Sequence, residues 1–230
     1  MKSTFRNALS GTPMGRAMRR LGKIFGGSRA AAFTTSGNYW EERYAEGRNS
    51  GAGSYGRLAA FKAEVLNRFV REQGISSVIE FGSGDGNQLR LAKYPDYLGI
   101  DVSETAVRAC RETFAADGTK RFETLSAYDG QAADLALSLD VIYHLVEDDT
   151  FASYMTVLFD AAERFVIVYA SNRDEQPKNR HVRHRRFSDW VEAHRSDFRL
   201  RAHIPNRYPF AADDPDNTSF ADFFIYEKVG

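Results

Sequence analysis

The sequence predicts an α/β fold: a doubly wound, mostly parallel seven-stranded sheet with helices on both faces and an antiparallel C-terminal hairpin. Three observations carry this. Short β-branched and aromatic runs alternate with amphipathic helical stretches through the middle of the chain. A glycine-rich turn, EFGSGDG at 80–86, stands where the first strand should hand over to a helix. Near the C-terminus the rhythm changes to two strand-like runs with no helical period between them. No internal repeat is visible, which removes solenoids and propellers.

The elements follow in order. SYGRLAAFKAEVLNRFVREQG spaces Leu58, Phe61, Val65 and Phe69 along one helical face and stops at Gly74. SSVIEFG is a short strand, DGNQLRLAKYP predicts a helix ended by Pro95, and YLGIDV is a second strand. SETAVRACRETFAADG predicts a helix capped near Ser103 and closed by Gly118. RFETL and ADLALSLDVIYHL are third and fourth strands, DDTFASYMTVLFDAAER a helix and RFVIVYAS a fifth strand. RLRAHIPNRYPF and TSFADFFIYEKV, separated by AADDPDN, complete the sheet as a hairpin.

With 230 residues, 43% of them hydrophobic and 27% charged, the chain fits one ordinary domain with a short appendage. No apolar run approaches the roughly 20 residues that a membrane span requires. A single cysteine, Cys110, reads as a small buried hydrophobe and leaves a reducing, cytoplasmic compartment as the default. The net charge of zero conceals an asymmetry, since residues 1–40 hold seven basic side chains and no acid. The remainder is therefore acidic, which argues against general nucleic-acid binding. Residues 1–37 read as a basic, flexible leader and 38–230 as the folded domain. Within the leader, 13–25 have amphipathic helical spacing and could touch an anionic membrane surface from one side.

At the glycine turn, Gly82, Gly84 and Gly86 would let the backbone bend sharply and approach a ligand with no side chain between. Asp101, 21 residues after Glu80 at the end of the next strand, is spaced to meet ribose hydroxyls. Two nucleotide cofactor classes compete. The dinucleotide fingerprint would want its third small residue at position 87, which is Asn87. The spacing here is G-x-G-x-G, with an acid two residues ahead.

In VIEFGSGDGNQL, YLGIDVSETAV, DLALSLDVIYHLVEDD and the closing strand pair the chain resembles the class I S-adenosylmethionine-dependent methyltransferases, over roughly residues 38–229. The resemblance implies that Glu80, Gly82, Ser83 and Gly84 line the methionine portion of S-adenosylmethionine, that Asp101 binds the ribose and that Val102 flanks adenine. It makes Asp129 the candidate for the adenine amino group. From the lead-in NYWEERYAEGRNSGAGSYGR it makes Tyr39, Trp40 and Arg57 candidates to close over the cofactor, with Arg57 reaching its carboxylate. S-adenosylhomocysteine would be the product.

Methyl transfer is an in-line displacement, so the protein must align the acceptor and exclude water. A hydroxyl acceptor also needs a base, and a histidine titrating near neutrality suits the task. Asp140, Tyr143 and His144 follow the fourth strand, where this fold opens on the methyl donor; His144 is the first candidate, and Asp140 is equally placed to contact the cofactor. NRHVRHRRFSDW adds His181 and His184 among Arg180, Arg183, Arg185 and Arg186, a site for an anionic group. His184 is therefore a further catalytic candidate. No ligand set supports a metal site, and no Ser/His/Asp arrangement supports hydrolysis.

The expected activity is methylation of a hydroxyl on a sugar, a glycan or another small molecule, the acceptor being neutral or anionic. N- or O-methylation of a protein or secondary metabolite is the enzymatic alternative, and a non-catalytic cofactor-binding regulatory module the other. Neither the acceptor nor the oligomeric state is written in the sequence.

Overall fold

The computed structural model describes residues 35–175 and 181–229; the leader segment 13–25 lies outside them. Seven strands form one sheet: β1 (Ser77–Phe81), β2 (Asp96–Asp101), β3 (Lys120–Thr124), β4 (Ala133–Leu139), β5 (Ala162–Ala170), β6 (Phe198–Ile204) and β7 (Asp222–Lys228). Their order is β3-β2-β1-β4-β5-β7-β6. The first five run parallel, and β7 inserts antiparallel between β5 and β6. The chain starts in the middle at β1, winds outward to β3, then crosses back to β4. The crevice between the β1 and β4 ends is thus the point where this architecture receives ligands.

Among the described residues five α-helices accompany the sheet: α1 (Ser36–Ala45), α2 (Gly56–Glu72), α3 (Glu104–Thr113), α4 (Asp148–Asp160) and α5 (Phe187–His194). Side-chain alternation along the strands divides the core in two. Val78, Leu135, Leu137 and Ile167 face Phe61, Val65 and Leu66 of α2 and Val107 and Cys110 of α3. Ile79, Phe81, Ala136 and Val166 face Tyr154, Met155 and Leu158 of α4 and Phe187 of α5. The same alternation turns Glu80, one residue after Ile79, toward the α2 side.

Local chemistry sets the helix ends. Thr35 caps α1 by accepting from the Asn38 amide, and Ser103 caps α3 by accepting from the Ala106 amide at 3.1 Å. After α2, Gly74 adopts φ +59°, and the Ile75 amide returns to the Val70 carbonyl at 3.0 Å.

The structure differs from the sequence reading in three places. The helix expected in 85–94 is one 3-10 turn, Gln88–Leu91. Leu89 and Tyr94 are both drawn into the core, and Pro95 disfavours helical geometry at its predecessor, so no room is left for a longer helix. Helix α5 lies in the segment read only as an Arg/His cluster. Helix α1 begins at Ser36, inside the stretch assigned to the leader, and Ser36 is buried.

The face covered by α4 and α5 is an aromatic core centred on Phe159, which packs edge-on against Phe198 at 5.0 Å and Tyr226 at 5.6 Å. Phe159→Ala should lower stability by about 3–5 kcal/mol. Urea denaturation followed by circular dichroism measures this, and a loss below about 1 kcal/mol would contradict the packing described.

Candidate active site

The carboxyl ends of β1, β2 and β4 open into a cleft of about 840 Å³, counted to its open mouth. Its floor is the turn after β1. The Gly82 and Ser83 amides both point at the Ile100 carbonyl, at 2.7 and 3.2 Å, which ties the turn to β2. Gly82 has φ +88°, and a Cβ there would lie 2.4 Å from Val141; at Gly84, φ +59°, a Cβ would lie 2.4 Å from Ser50 Oγ. Both positions therefore require glycine on two counts, conformation and space.

Two carboxylates rise from this floor. Asp101 accepts from the Gly84 amide at 2.8 Å through Oδ2 and from the Ser103 amide at 2.9 Å through Oδ1. Burial raises its pKa, and those two hydrogen bonds work against the rise. Glu80 is 5% exposed and accepts from Tyr97 Oη at 2.8 Å. Burial dominates and pushes its pKa up to about 7, opposed by the Tyr97 hydrogen bond and the charge of Lys62.

The lead-in between α1 and α2 is fastened over the turn. Asp85 Oδ2 accepts from both the Ser50 amide and Tyr55 Oη at 2.8 Å, and Ser50 Oγ accepts from the Asp85 amide at 3.0 Å. Asn87, which occupies the place of a third dinucleotide glycine, donates to the Ser54 carbonyl at 2.7 Å. Helix α1 spans the cleft. At one end Ser36 Oγ sits 2.7 Å from the His144 carbonyl and 2.8 Å from Glu147 Oε2. Toward the other, Glu41 accepts from Ser103 Oγ and Thr105 Oγ1, both at 2.6 Å.

At the β4 end Asp140 has φ +60°, the one non-glycine residue with positive φ among those described. Its Oδ2 accepts from Lys62 Nζ at 2.7 Å and its Oδ1 from Tyr143 Oη at 2.8 Å. His144 follows in a 3-10 turn, Ile142–His144, with its ring edge-on to Trp40 at 5.0 Å. Its Nδ1 lies 3.1 Å from the His181 carbonyl, so Nδ1 carries the hydrogen and Nε2 the lone pair. Burial pulls its pKa down to about 4, against the near-neutral value expected from the sequence. The imidazole is neutral at pH 7.

Of the residues singled out from the sequence, Trp40, Glu80, Gly82, Ser83, Gly84, Asp101, Val102, Asp140 and His144 all line the cleft. The others do not. Arg57 stacks on Tyr208 and is held by the Asn217 carbonyl at 2.6 Å and Asp214 at 3.1 Å, on the outer side of α2. Asp129 is exposed in the loop after β3, where the neighbouring Tyr128, and not Asp129, turns into the core. His184 is buried against Ser171 Oγ at 2.6 Å and Phe220. Tyr143 lies behind Asp140, and Tyr39 stacks on His181 behind Trp40. Arg183 and Arg185 are engaged with Asp148 and with carbonyls of 145–146, so these two members of the basic cluster brace the loop after β4.

Sequence reasoning missed Lys62, Tyr44, Ser50 and Gln88, which also line the cleft. A signal for Lys62 was available, because it falls on the same apolar stripe of α2 as Leu58 and Val65. A lysine on a buried face calls for a partner.

An adenosyl amino acid fits this cleft. The glycine cradle leaves the backbone open, and on two residues that line the cleft, Ser83 and Gln88, the buried Oγ and Oε1 lack a hydrogen-bond partner among the described residues. No cluster of His, Cys, Asp or Glu among the described residues is arranged for a metal ion, and no described helix is long and apolar enough to cross a membrane.

Residues 79–159 match a family model described as a methyltransferase domain. No curated protein matches the chain. Among solved structures, magnesium protoporphyrin IX methyltransferase (ChlM) from Synechocystis PCC 6803 with bound SAH aligns with a TM-score of 0.57 at 15% identity, over 98% of this chain and 99% of that one. The methyltransferase domain of bacterial CtHen1-C aligns with a TM-score of 0.56 at 17% identity, over 74% and 97%. An S-adenosylmethionine-dependent methyltransferase from Clostridium acetobutylicum ATCC 824 aligns with a TM-score of 0.55 at 10% identity, over 73% and 91%. At these identities the alignments establish the fold. The fold and the match across 79–159 are those of the class I S-adenosylmethionine-dependent methyltransferases, to which this chain is similar.

Proposed function

We propose that the protein methylates a hydroxyl group of a small molecule, with a sugar or glycan as the acceptor class. The observation carrying this reading is His144, a neutral imidazole whose Nε2 has no hydrogen-bond partner among the described residues, beside the Trp40 ring in the cleft. An indole next to a proton acceptor suits a sugar, whose C–H face packs on the ring while its hydroxyls make polar contacts. A neutral acceptor is favoured over an anionic one, because Arg183 and Arg185 already serve Asp148.

S-adenosylmethionine supplies an electrophilic methyl group on a cationic sulfonium. On our reading Gly82, Ser83, Gly84 and Glu80 hold its methionine end, and Asp101 and Val102 its ribose and adenine. Trp40 and α1 exclude water from the reacting centre. His144 takes the hydroxyl proton at Nε2. A conjugate pKa near 4 is adequate, since the acceptor oxygen becomes strongly acidic as it bonds to carbon. The low value also keeps His144 uncharged beside a cation.

Incubation with methyl-labelled S-adenosylmethionine and a panel of saccharides, lipid-linked glycans, amines and RNA tests the acceptor class. Label should enter a saccharide hydroxyl as a methyl ether; incorporation confined to amines or RNA would refute the reading. His144→Ala should lower kcat by about a hundredfold or more while S-adenosylhomocysteine affinity changes less than about threefold. An unchanged kcat removes His144 from the chemistry.

Glu80 makes a prediction of opposite sign for binding and for stability. Ionised Glu80 holds the cofactor ammonium, so S-adenosylhomocysteine affinity should rise between about pH 6 and 8, following a pKa of about 7. In the ligand-free protein the native state keeps this proton above the usual carboxylate range while the unfolded state has lost it. Stability therefore falls as pH climbs to about 7. Glu80→Gln should flatten both profiles in calorimetry and thermal melts, and wild-type slopes in the variant would exclude Glu80 as their source.

A further inference from the structure

We propose that Lys62 anchors the carboxylate of the cofactor's methionine end, the role that the sequence reading gives to Arg57. The inference rests on the cofactor assignment above and adds a residue to it.

Lys62 is 1% exposed and is the one lysine or arginine among the described residues lining the cleft. A buried ammonium needs acceptors for its three hydrogens. Among the described residues Asp140 alone accepts one, at 2.7 Å, which leaves two donors for a ligand in the cleft. The charges around it have the polarity of an α-amino acid reversed. Glu80, on the neighbouring strand end and within electrostatic reach of Lys62, offers a negative group to an ammonium, and Lys62 offers a positive one to a carboxylate.

The backbone holds this arrangement in place. Asp140 adopts φ +60° and turns its Oδ2 to Lys62, and a Cβ at Gly53 would come within 2.8 Å of that oxygen. A side chain at residue 53 would therefore press on the carboxylate of the ion pair. Arg57, five residues earlier on α2, is bound to the 214–217 loop and does not line the cleft.

Isothermal titration with S-adenosylhomocysteine, and with the same thioether lacking the carboxylate but keeping the amine, tests this. Wild type should prefer the intact ligand by about tenfold to a hundredfold, the range for a hydrogen-bonded charge. Lys62→Met should bring the ratio near one. Should that variant not fold, Lys62→Met/Asp140→Asn removes both buried charges together and is measured in its place. Equal affinity of wild type for the two ligands, or a wild-type ratio in the folded variant, overturns the anchor. Failure of wild type to bind either ligand overturns the cofactor assignment itself.

Discussion

Three carboxylates at the ends of adjacent strands, Glu80, Asp101 and Asp140, face one cleft, and the site is organised around keeping them there. Each is stabilised differently. Asp101 is held by two backbone amides, Asp140 by Lys62 and Tyr143, and Glu80 by Tyr97, against a burial that raises its pKa to about 7. The differences are functional in kind. A carboxylate held by two amides is fixed in position, whereas one with a pKa near 7 gains most from an arriving cation.

Above the carboxylates, α1 and the 50–55 segment form a cover fixed at several points: Ser36 to the β4 end, Glu41 to the start of α3, and Ser50, Ser54 and Tyr55 to the turn after β1. Nearly every fastening is polar and at most part-buried, so it can open without disrupting either apolar layer of the core. The arrangement makes the lead-in part of the site. The cofactor turn and its cover are interdependent, since Asp85 and Asn87 belong to one and bind the other.

The sheet was legible because its strands are short apolar runs bounded by turn residues, and because the C-terminal hairpin has no helical period. The glycine turn, Glu80 and Asp101 were legible because their backbone demands and spacing are local. What escaped were consequences of tertiary packing. The 85–94 helix was lost to the pull of Leu89 and Tyr94 into the core and to Pro95. Arg57 and Lys62 lie five residues apart on one helix, and only the packing of α2 on the sheet decides which faces the cleft. The basic cluster after β5 resembled a substrate site in sequence, but Asp148, 35 residues before Arg183, takes up the charge of two of its members, Arg183 and Arg185. His144 lines the cleft as its place after β4 suggested, yet its depressed pKa follows from burial that no local pattern displays.

A structure of the complex with S-adenosylhomocysteine tests the account most directly. It should show the amino acid tail between Glu80 and Lys62, the ribose hydroxyls on Asp101, and the sulfur on the His144 and Trp40 side of the cleft. A ligand bound elsewhere, or a tail whose carboxylate turns away from Lys62 and whose sulfur is remote from His144, would contradict it.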